Sequence, residues 1–281
     1  MLPTPLYLQG DIYRIFFSGR DKEGHSHIGY VDIDLEKPTE ILNISEKPVL
    51  SPGLLGTFDD SGASPLCVVE DSGEIWLYYM GWNRGGTTRA SEMTGRVFIE
   101  EGTQITPYKF NRSIAPIMER TNMEPYGISV ISCILKERGI YRAWYDSCDG
   151  WITPQLPKYN IKYAEAPCLG GWKREGRVSV DYLYPNETRI SRASVIPGKD
   201  YYRMWYCYAI GEGGYHMGYG ESKKGIRYTR IDDKAGIDVS ADGWDSEMVC
   251  YPSVFRHKGQ LWMLYCGNGY GRTGFGIARE E

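Results

Sequence analysis

The chain has 281 residues, of which 42% are hydrophobic, and a formal net charge of −4 at pH 7. This length can bury a sizeable core, as one large domain or as two small ones. A pI of about 5.7 without a run of Lys and Arg argues against a nucleic-acid partner, and no apolar stretch approaches the roughly 18 residues that a membrane span requires.

The N-terminus and the cysteines indicate a cytoplasmic protein. Residues 1–20 lack the basic and apolar regions of a signal peptide. The seven cysteines are an odd number, and no two have the C-x-x-C spacing of zinc or redox motifs. We expect them to be reduced and buried, and we predict neither a metal centre nor another cofactor.

The composition is typical of an all-β protein. The chain has 23 Tyr, 8 Trp and 34 Gly, and aromatic or β-branched runs between turn residues indicate many short strands. One pattern recurs: an apolar strand, a turn with Gly or a charged residue, and an aromatic strand that ends in a small or polar residue. In chain order the five copies are TPLYLQGDIYRIFFSG (4–19), SPLCVVEDSGEIWLYYMG (64–81), SCILKERGIYRAWYDS (132–147), ASVIPGKDYYRMWYCY (193–208) and PSVFRHKGQLWMLYCG (252–267).

Each copy predicts a β-hairpin, and several are followed by a third strand with small residues in alternation. This third strand reads HIGYVDID (27–34), IKYAEA (161–166), HMGYGES (216–222) and TGFGIA (273–278), and the second copy departs most from it. Five copies give about 56 residues each, close to the length of a four-stranded propeller blade. A β-sandwich would not repeat a hairpin and a third strand five times. We therefore predict a single domain over residues 1–281, a five-bladed β-propeller with an axial funnel.

Acidic residues precede four of the five hairpins at similar distances. The first strand of each propeller blade lines the central channel, so residues before it are expected to converge on one end of the axis. Capping of a turn is an equally good interpretation for aspartates such as Asp59 and Asp245, whereas Glu is a poor turn cap. The candidate catalytic residues are Asp60, Glu124, Glu187 and Glu247.

A ring of acids suits the hydrolysis of glycosidic bonds. Carboxylates that crowd together repel one another, and this raises the pKa of at least one of them. A protonated carboxyl can then donate to the leaving oxygen while an ionised one activates water or attacks the sugar.

Four charged residues near the predicted funnel are candidates for substrate binding. Arg20 and Asp21 follow the first hairpin, and Arg189 and Arg192 flank the strand that begins near Glu187. An arginine fork can bind a carboxylate or a phosphate of the substrate, although pairing with the acidic ring is the other interpretation.

Aromatic residues at loops and strand ends complete the predicted site. Trp151 and Tyr251 stand near glycines and aspartates, and a flat ring suits the apolar face of a sugar. The alternative for such residues is packing between blades.

Several motifs resemble those of the five-bladed β-propeller glycosidase superfamily, which includes glycoside hydrolase families 43 and 32. They are SGRD (18–21), GTFDDSG (56–62), IAPIMER (114–120), NETRISRASV (186–195), HMGYGES (216–222), GWDSEMVCYP (243–252) and GNGYGRTGFGIA (267–278). The resemblance covers nearly the whole chain and is to a bacterial subgroup often found among polysaccharide genes. It implies a propeller with an axial acidic site and a carbohydrate substrate. A similar propeller fused to a glycosyltransferase leaves room for a binding role.

In the glycosidases of that superfamily the first blade supplies the base or nucleophile, the second a helper Asp and the third the acid Glu. By this resemblance Asp60 matches the helper and Glu124 the acid, but the first blade offers no acid at its strand. Either Asp21 substitutes from the loop, or Glu187 and Glu247 form the working pair, or the chain is not a hydrolase.

Three functional hypotheses follow. The first is a glycosidase-type enzyme that acts on a bacterial glycan, and the second is a non-catalytic carbohydrate-binding or scaffold propeller. Two carboxylates about 5–10 Å apart in an open funnel would favour hydrolysis, whereas arginines that neutralise every acid would favour binding. The third is a phosphorylase, which needs a cationic phosphate pocket beside the acid.

Overall fold

The computed structural model describes residues 1–101 and 108–281, and within these ranges the chain is almost entirely β-structure. The strands are β1 Thr4–Gln9, β2 Ile12–Arg20, β3 Ser26–Asp34, β4 Ile41–Ile44, β5 Gly62–Asp71, β6 Glu74–Arg84, β7 Ala90–Glu101, β8 Tyr108–Arg112, β9 Ile128–Glu137, β10 Ile140–Thr153, β11 Leu156–Ala166, β12 Lys173–Val180, β13 Glu187–Pro197, β14 Tyr202–Ile210, β15 Tyr215–Ser222, β16 Thr229–Arg230, β17 Cys250–His257, β18 Gln260–Cys266 and β19 Phe275–Arg279. Two short helical turns, Asp232–Lys234 and α1 Asn268–Gly271, complete the described elements. No helix in these ranges is long and apolar enough to cross a membrane.

Consecutive strands pair antiparallel in five units. Unit 1 is β1–β4, unit 2 is β5–β8, unit 3 is β9–β12, unit 4 is β13–β16, and unit 5, with three strands among the described residues, is β17–β19. The first two strands of each unit are the five hairpins predicted from the repeat. The predictions of an all-β fold and of its hairpins are therefore confirmed.

Short parallel pairings join the third strand of one unit to the first strand of the next. They link Ser26 to Gly62, Glu92 to Ile128, and Tyr159 to Arg189, so that units 1 to 4 share one sheet. Unit 5 forms a separate three-stranded sheet. The first strands of neighbouring units also contact one another, including β17 of unit 5 and β1 of unit 1.

The hydrophobic core is divided among the boundaries between units. Each of five buried clusters takes side chains from two neighbouring units. The cluster of Tyr13, Ile15 and Leu264 packs unit 1 against unit 5. Because every boundary has its own apolar cluster, the units are stabilised by their neighbours rather than singly.

The small residues of the third strands make room for aromatic rings of the second strands. Tyr206 is paired with Gly218 across β14 and β15, and a Cβ atom added at Gly218 would lie 2.2 Å from the Tyr206 ring. Tyr79 and Gly95 repeat the arrangement, with a Cβ contact of 2.5 Å. The pairs at the same register in units 1 and 5 are Phe17 with Gly29 and Tyr265 with Gly276, where an added Cβ atom would lie 3.7 Å and 3.2 Å from the ring. Close approach therefore explains the alternation of small residues, as the sequence predicted.

We expect Gly218→Ala to lower the free energy of unfolding by about 1–3 kcal/mol, because the added methyl group must displace the buried Tyr206 ring. Gly86→Ala is the matched control, since an added Cβ there meets nothing within 4 Å, and its effect should stay within about 0.5 kcal/mol. Urea unfolding measures both, and equal stability of the two variants would contradict the packing argument.

Candidate functional site

A cavity of about 800 Å³ is lined by residues of all five units. Its wall follows the repeat, because residues at equivalent strand positions line it in successive units. The beginnings of the third strands contribute Ser26, Glu92, Tyr159 and Tyr215, and the second strands contribute Ser18, Met80 and Asp146. The cavity thus has a repeated framework with different chemistry at each unit.

Asp146 is the more deeply buried carboxyl of the cavity. The Ser191 hydroxyl donates to its Oδ2 at 2.5 Å, and the backbone N–H of Arg192 donates to its Oδ1 at 3.1 Å. Burial raises the pKa of Asp146 to about 7, although these hydrogen bonds and the Arg192 charge act in the opposite direction. Near neutral pH this carboxyl therefore exists in both protonation states.

Glu92, on β7, is the second carboxyl of the cavity. Its Oε1 lies 3.6 Å from Nη2 of Arg89. Burial raises the pKa of Glu92, while the charges of Arg89 and Arg20 favour the ionised form. Glu92 also raises the pKa of Asp146, so the two carboxyls interact electrostatically.

Tyrosines form an aromatic wall in units 3, 4 and 5. The hydroxyls of Tyr159 and Tyr215 are 2.5 Å apart, and burial raises the pKa of both. The rings of Tyr251 and Tyr270 stack with their centroids 6.3 Å apart. Such a wall offers both apolar faces and hydroxyl groups to a ligand.

Backbone strain is concentrated at this cavity. Arg192, Tyr251 and Tyr270 all line it and have φ near +60°, at +61°, +58° and +61°. Bulky residues seldom adopt this left-handed conformation. The other non-glycine residues with positive φ in the described ranges lie in hairpin turns or in the loop at Asn186. Strain of this kind is typical of binding and catalytic sites.

Five arginines line the cavity, and two of them, Arg189 and Arg192, are buried. The Arg192 guanidinium donates to the carbonyl oxygens of Pro3 and Pro65, each at 3.3 Å, and to Oγ1 of Thr4 at 3.0 Å. The Arg189 Nη2 donates to the carbonyl of Gly213 at 2.8 Å. The other three arginines are exposed: Arg20, Arg89 and Arg272.

Comparison with known proteins places this sequence in a family. Two curated proteins of Mycobacterium tuberculosis, "Uncharacterized protein MT1551" and "Uncharacterized protein Rv1502", are each 37% identical over 282 aligned residues, which cover 100% of this chain and 92% of each relative. The protein belongs to their family. No family model matches the sequence.

Among solved structures, glycoside hydrolases are similar to this protein in fold. A structure described as "Glycoside hydrolase" has a TM-score of 0.74 and 17% identity, over 99% of this chain and 86% of that one. An exo-1,5-α-L-arabinanase from a bovine ruminal metagenomic library has a TM-score of 0.66 and 15% identity, over 99% and 92%. The Cellvibrio cellulosa α-L-arabinanase in complex with arabinohexaose has a TM-score of 0.63 and 12% identity, over 99% of this chain and 90% of that one. The predicted resemblance to the propeller glycosidase superfamily is confirmed at the level of the fold.

Four of the residues predicted to bind substrate line the cavity: Arg20, Arg189, Arg192 and Tyr251. Asp21 and Trp151 do not. Asp21 accepts hydrogen bonds within its own loop, from the His27 ring at 3.0 Å and the His25 N–H at 2.8 Å, and the His27 bond is the main cause that lowers its pKa to about 2. Trp151 packs against the apolar cluster between units 2 and 3.

The four acids predicted to be catalytic are not among the cavity-lining residues. Glu124 is buried and accepts a hydrogen bond from the Tyr145 hydroxyl at 2.7 Å, and Arg174 lies 3.1 Å away. Glu187 is buried beside Arg230 at 2.8 Å and accepts the N–H of Leu183 at 2.7 Å. Partners within their own units hold both carboxylates, and neither lines the cavity.

The other two predicted acids belong to loops. Asp60 accepts the Gly56 N–H at 3.0 Å and thus caps its turn. Glu247 is exposed, and its own N–H donates to Oδ1 of Asn268 at 2.7 Å. Neither residue lines the cavity.

The equivalent spacing of the acids nevertheless has a structural origin. Asp59 accepts hydrogen bonds from the Tyr79 hydroxyl and from Nη1 of Arg112, both at 2.9 Å. Glu124 has the same two kinds of partner, a tyrosine of the second strand and an arginine of the fourth strand. We call this arrangement the clasp. In unit 4 Arg230 of the fourth strand holds Glu187, and in unit 5 the Tyr265 hydroxyl donates to Asp245 at 3.3 Å.

Glu92 and Asp146 were not predicted from the sequence, although each departs visibly from the repeat. Asp146 occupies the second-strand position that is Ser18, Met80, Cys207 or Cys266 in the other units. Glu92 lies in the copy whose third strand matches the pattern least well. A charged residue at an otherwise small or apolar repeat position was the available signal.

We expect stability to depend on the protonation of Asp146. Its folded pKa of about 7 lies above the ordinary value of 3.8, so the folded state binds more protons between these values and stability falls as pH rises from about 4 to 7. The full contribution is on the order of 4 kcal/mol. Asp146→Asn should lose this dependence in urea unfolding measured from pH 4 to pH 8.

The charged groups that face Asp146 are Glu92 and Arg192, and Glu92→Gln separates the titration of Glu92 from that of Asp146. Asp242→Asn, at an exposed carboxyl, is the matched control. A parallel pH dependence in Asp146→Asn and the parent would contradict the assignment.

Glu187→Gln and Glu247→Gln should differ sharply in stability. The first leaves the buried Arg230 with Asp232 as its remaining carboxylate partner, and a loss of about 3 kcal/mol is expected for a broken buried pair. The second changes an exposed side chain and should cost less than about 0.5 kcal/mol. Thermal and urea unfolding test this, and equal losses would refute the clasp at Glu187.

Proposed function

We propose that this chain is a glycan-acting protein of the glycoside hydrolase type, in which the cavity carboxyls Asp146 and Glu92 do the chemistry. We further propose that residues 1–281 form one domain, a five-bladed propeller. The five antiparallel units, the contacts of their first strands and the similarity to glycoside hydrolases support this architecture. A bacterial glycan as substrate and a cytoplasmic location remain part of the proposal.

The observation that carries the proposal is the pair of interacting carboxyls in one cavity, both with a raised pKa. Glycoside hydrolysis requires a carboxyl that still holds its proton at the working pH and a second one that is ionised. Asp146, with a pKa of about 7, suits the acid that protonates the leaving oxygen. Glu92, beside Arg89 at 3.6 Å, suits the ionised partner that activates water or attacks the sugar.

The tyrosine wall supports a sugar as the ligand. Tyr270 is half-exposed at the cavity and stacks on Tyr251, so that an aromatic face is available to the apolar face of a sugar ring. Both residues have a strained, left-handed backbone, and such strain is typical of binding sites.

Carbohydrate binding without catalysis is the second candidate function. It is favoured by the arginines of the cavity, which outnumber the carboxyls. It is also favoured by Asp146, whose two oxygens already accept hydrogen bonds from Ser191 and from the Arg192 N–H.

We expect a screen of labelled glycans to reveal a substrate that the parent protein cleaves. Asp146→Asn and Glu92→Gln should each lower kcat by at least about 100-fold, as is usual for the loss of an acid or base group. Glu247→Gln, at an exposed carboxylate outside the cavity, is the matched control and should keep full activity.

The same screen decides between the two functions when glycan binding is measured beside turnover. Unchanged turnover in both cavity variants would overturn the assignment of Asp146 and Glu92. Binding of a glycan without turnover by the parent would replace the enzyme with the binding protein. A parent that neither binds nor cleaves any glycan would overturn both functions.

A further inference from the structure

The cavity is cationic although the chain as a whole is acidic. Five arginines and two carboxyls line it, a formal excess of three positive charges, whereas the whole chain has a net charge of −4. The arginines come from four units: Arg20, Arg89, Arg189, Arg192 and Arg272. A concave site with charge of one sign attracts ligands of the opposite sign.

The protein itself does not neutralise most of this charge. Arg89 pairs with Glu92 at 3.6 Å. The guanidinium of Arg192 donates hydrogen bonds to backbone carbonyls and to Thr4. For the other three arginines no carboxylate lies within the 4 Å limit of an ion pair in the part of the chain that the structure describes. These three are Arg20, Arg189 and Arg272.

Arg189 gives the most specific indication that the cavity binds an anionic ligand. Its side chain lines the cavity while the residue is 5% exposed, and Nη2 donates to the carbonyls of Gly213 and Gly211 at 2.8 and 3.3 Å. Its Nε–H, in contrast, is buried without a hydrogen-bond acceptor in the described residues. A buried guanidinium with an unmet donor is costly, and a ligand oxygen would satisfy it.

Two exposed arginines stand at the same cavity. Arg20 lies over the Trp82 ring with its Cζ 5.4 Å from the centroid, and this contact holds it toward the cavity wall that Trp82 shares. Arg272 follows α1 and also lines the cavity. Guanidinium groups bind phosphate, sulfate and carboxylate oxygens through paired N–H donors.

We propose that the cavity binds a glycan that carries an oxyanion, with Arg189, Arg20 and Arg272 as the residues that recognise the charge. This inference rests on the proposed function, because it takes the ligand of the same site to be a sugar. The tyrosine wall contacts the ring, and the arginines contact a phosphate, sulfate or carboxylate group on it.

The test is calorimetric titration of the parent protein with matched probes. Glucose 6-phosphate, glucose 6-sulfate and glucuronic acid are compared with glucose, and inorganic phosphate and sulfate serve as free anions. We expect at least one anionic sugar to bind at least tenfold more tightly than glucose and than its free anion. Added NaCl should weaken the binding of the anionic sugar more than the binding of glucose.

Two variants test which arginines bind the charged group of the sugar. Arg189→Gln and Arg272→Gln, the second at an exposed residue, should each weaken the binding of the anionic sugar by at least tenfold. Neither should change the affinity for glucose. Arg120→Gln, at an exposed arginine outside the cavity, is the matched control. If Arg189→Gln fails to fold, Arg272→Gln still tests the proposal.

The outcomes separate this inference from the proposed function. Cleavage of neutral glycans without preference for any anionic probe overturns the inference and keeps the enzyme. Tight binding of an anionic sugar with no turnover of any glycan keeps the inference and removes the enzyme. Inorganic phosphate that binds as tightly as glucose 6-phosphate overturns recognition of a sugar at this site.

Discussion

The buried guanidinium of Arg192 is the interaction on which the centre of this molecule depends. The side chain extends from β13 of unit 4 to Thr4 and Pro3 of unit 1 and to Pro65 of unit 2. The backbone N–H of the same residue donates to Asp146 of unit 3. One residue of unit 4 thus contacts the three units 1, 2 and 3, and its backbone is left-handed at φ +61°. Because burying a charge without hydrogen-bond partners is costly, we expect the loss of any of these acceptors to destabilise the packing of these units.

This arrangement also sets the electrostatics of the cavity. Burial favours the neutral form of Asp146 and outweighs the opposing charge of Arg192, so the pKa is raised to about 7. The acids of the clasps lie elsewhere, each held by partners of its own unit, such as Arg112 for Asp59 and Arg230 for Glu187. Since these acids are engaged outside the cavity, the arginines that line it are left in excess, and the cavity is cationic.

The units contribute different side chains to the cavity, because the repeat varies at the positions that line it. The equivalent position near the start of the third strand is Ser26, Glu92, Tyr159 or Tyr215 in successive units, and each of these lines the cavity. The second and third strands pair in the same register around this position in units 1 to 4, although its residue differs from unit to unit. A repeated framework can therefore carry a carboxyl in one unit and a tyrosine in the next.

The local structure could be predicted from the sequence: the all-β class, the five hairpins, and the small residues opposite aromatic rings. Strand alternation, turn residues and close packing are all readable from neighbours in the chain. Arg20, Arg189, Arg192 and Tyr251, predicted from the sequence as substrate-binding residues, line the cavity. The carboxyls that share the cavity could not be predicted from the sequence, because the partners of Glu124 and Glu187, such as Arg174 and Arg230, lie tens of residues away in the chain. Their equal spacing indicates that the acids occupy equivalent positions. Whether such an acid faces the axis or is held in a clasp depends on contacts that form only when the strands of each unit pack together.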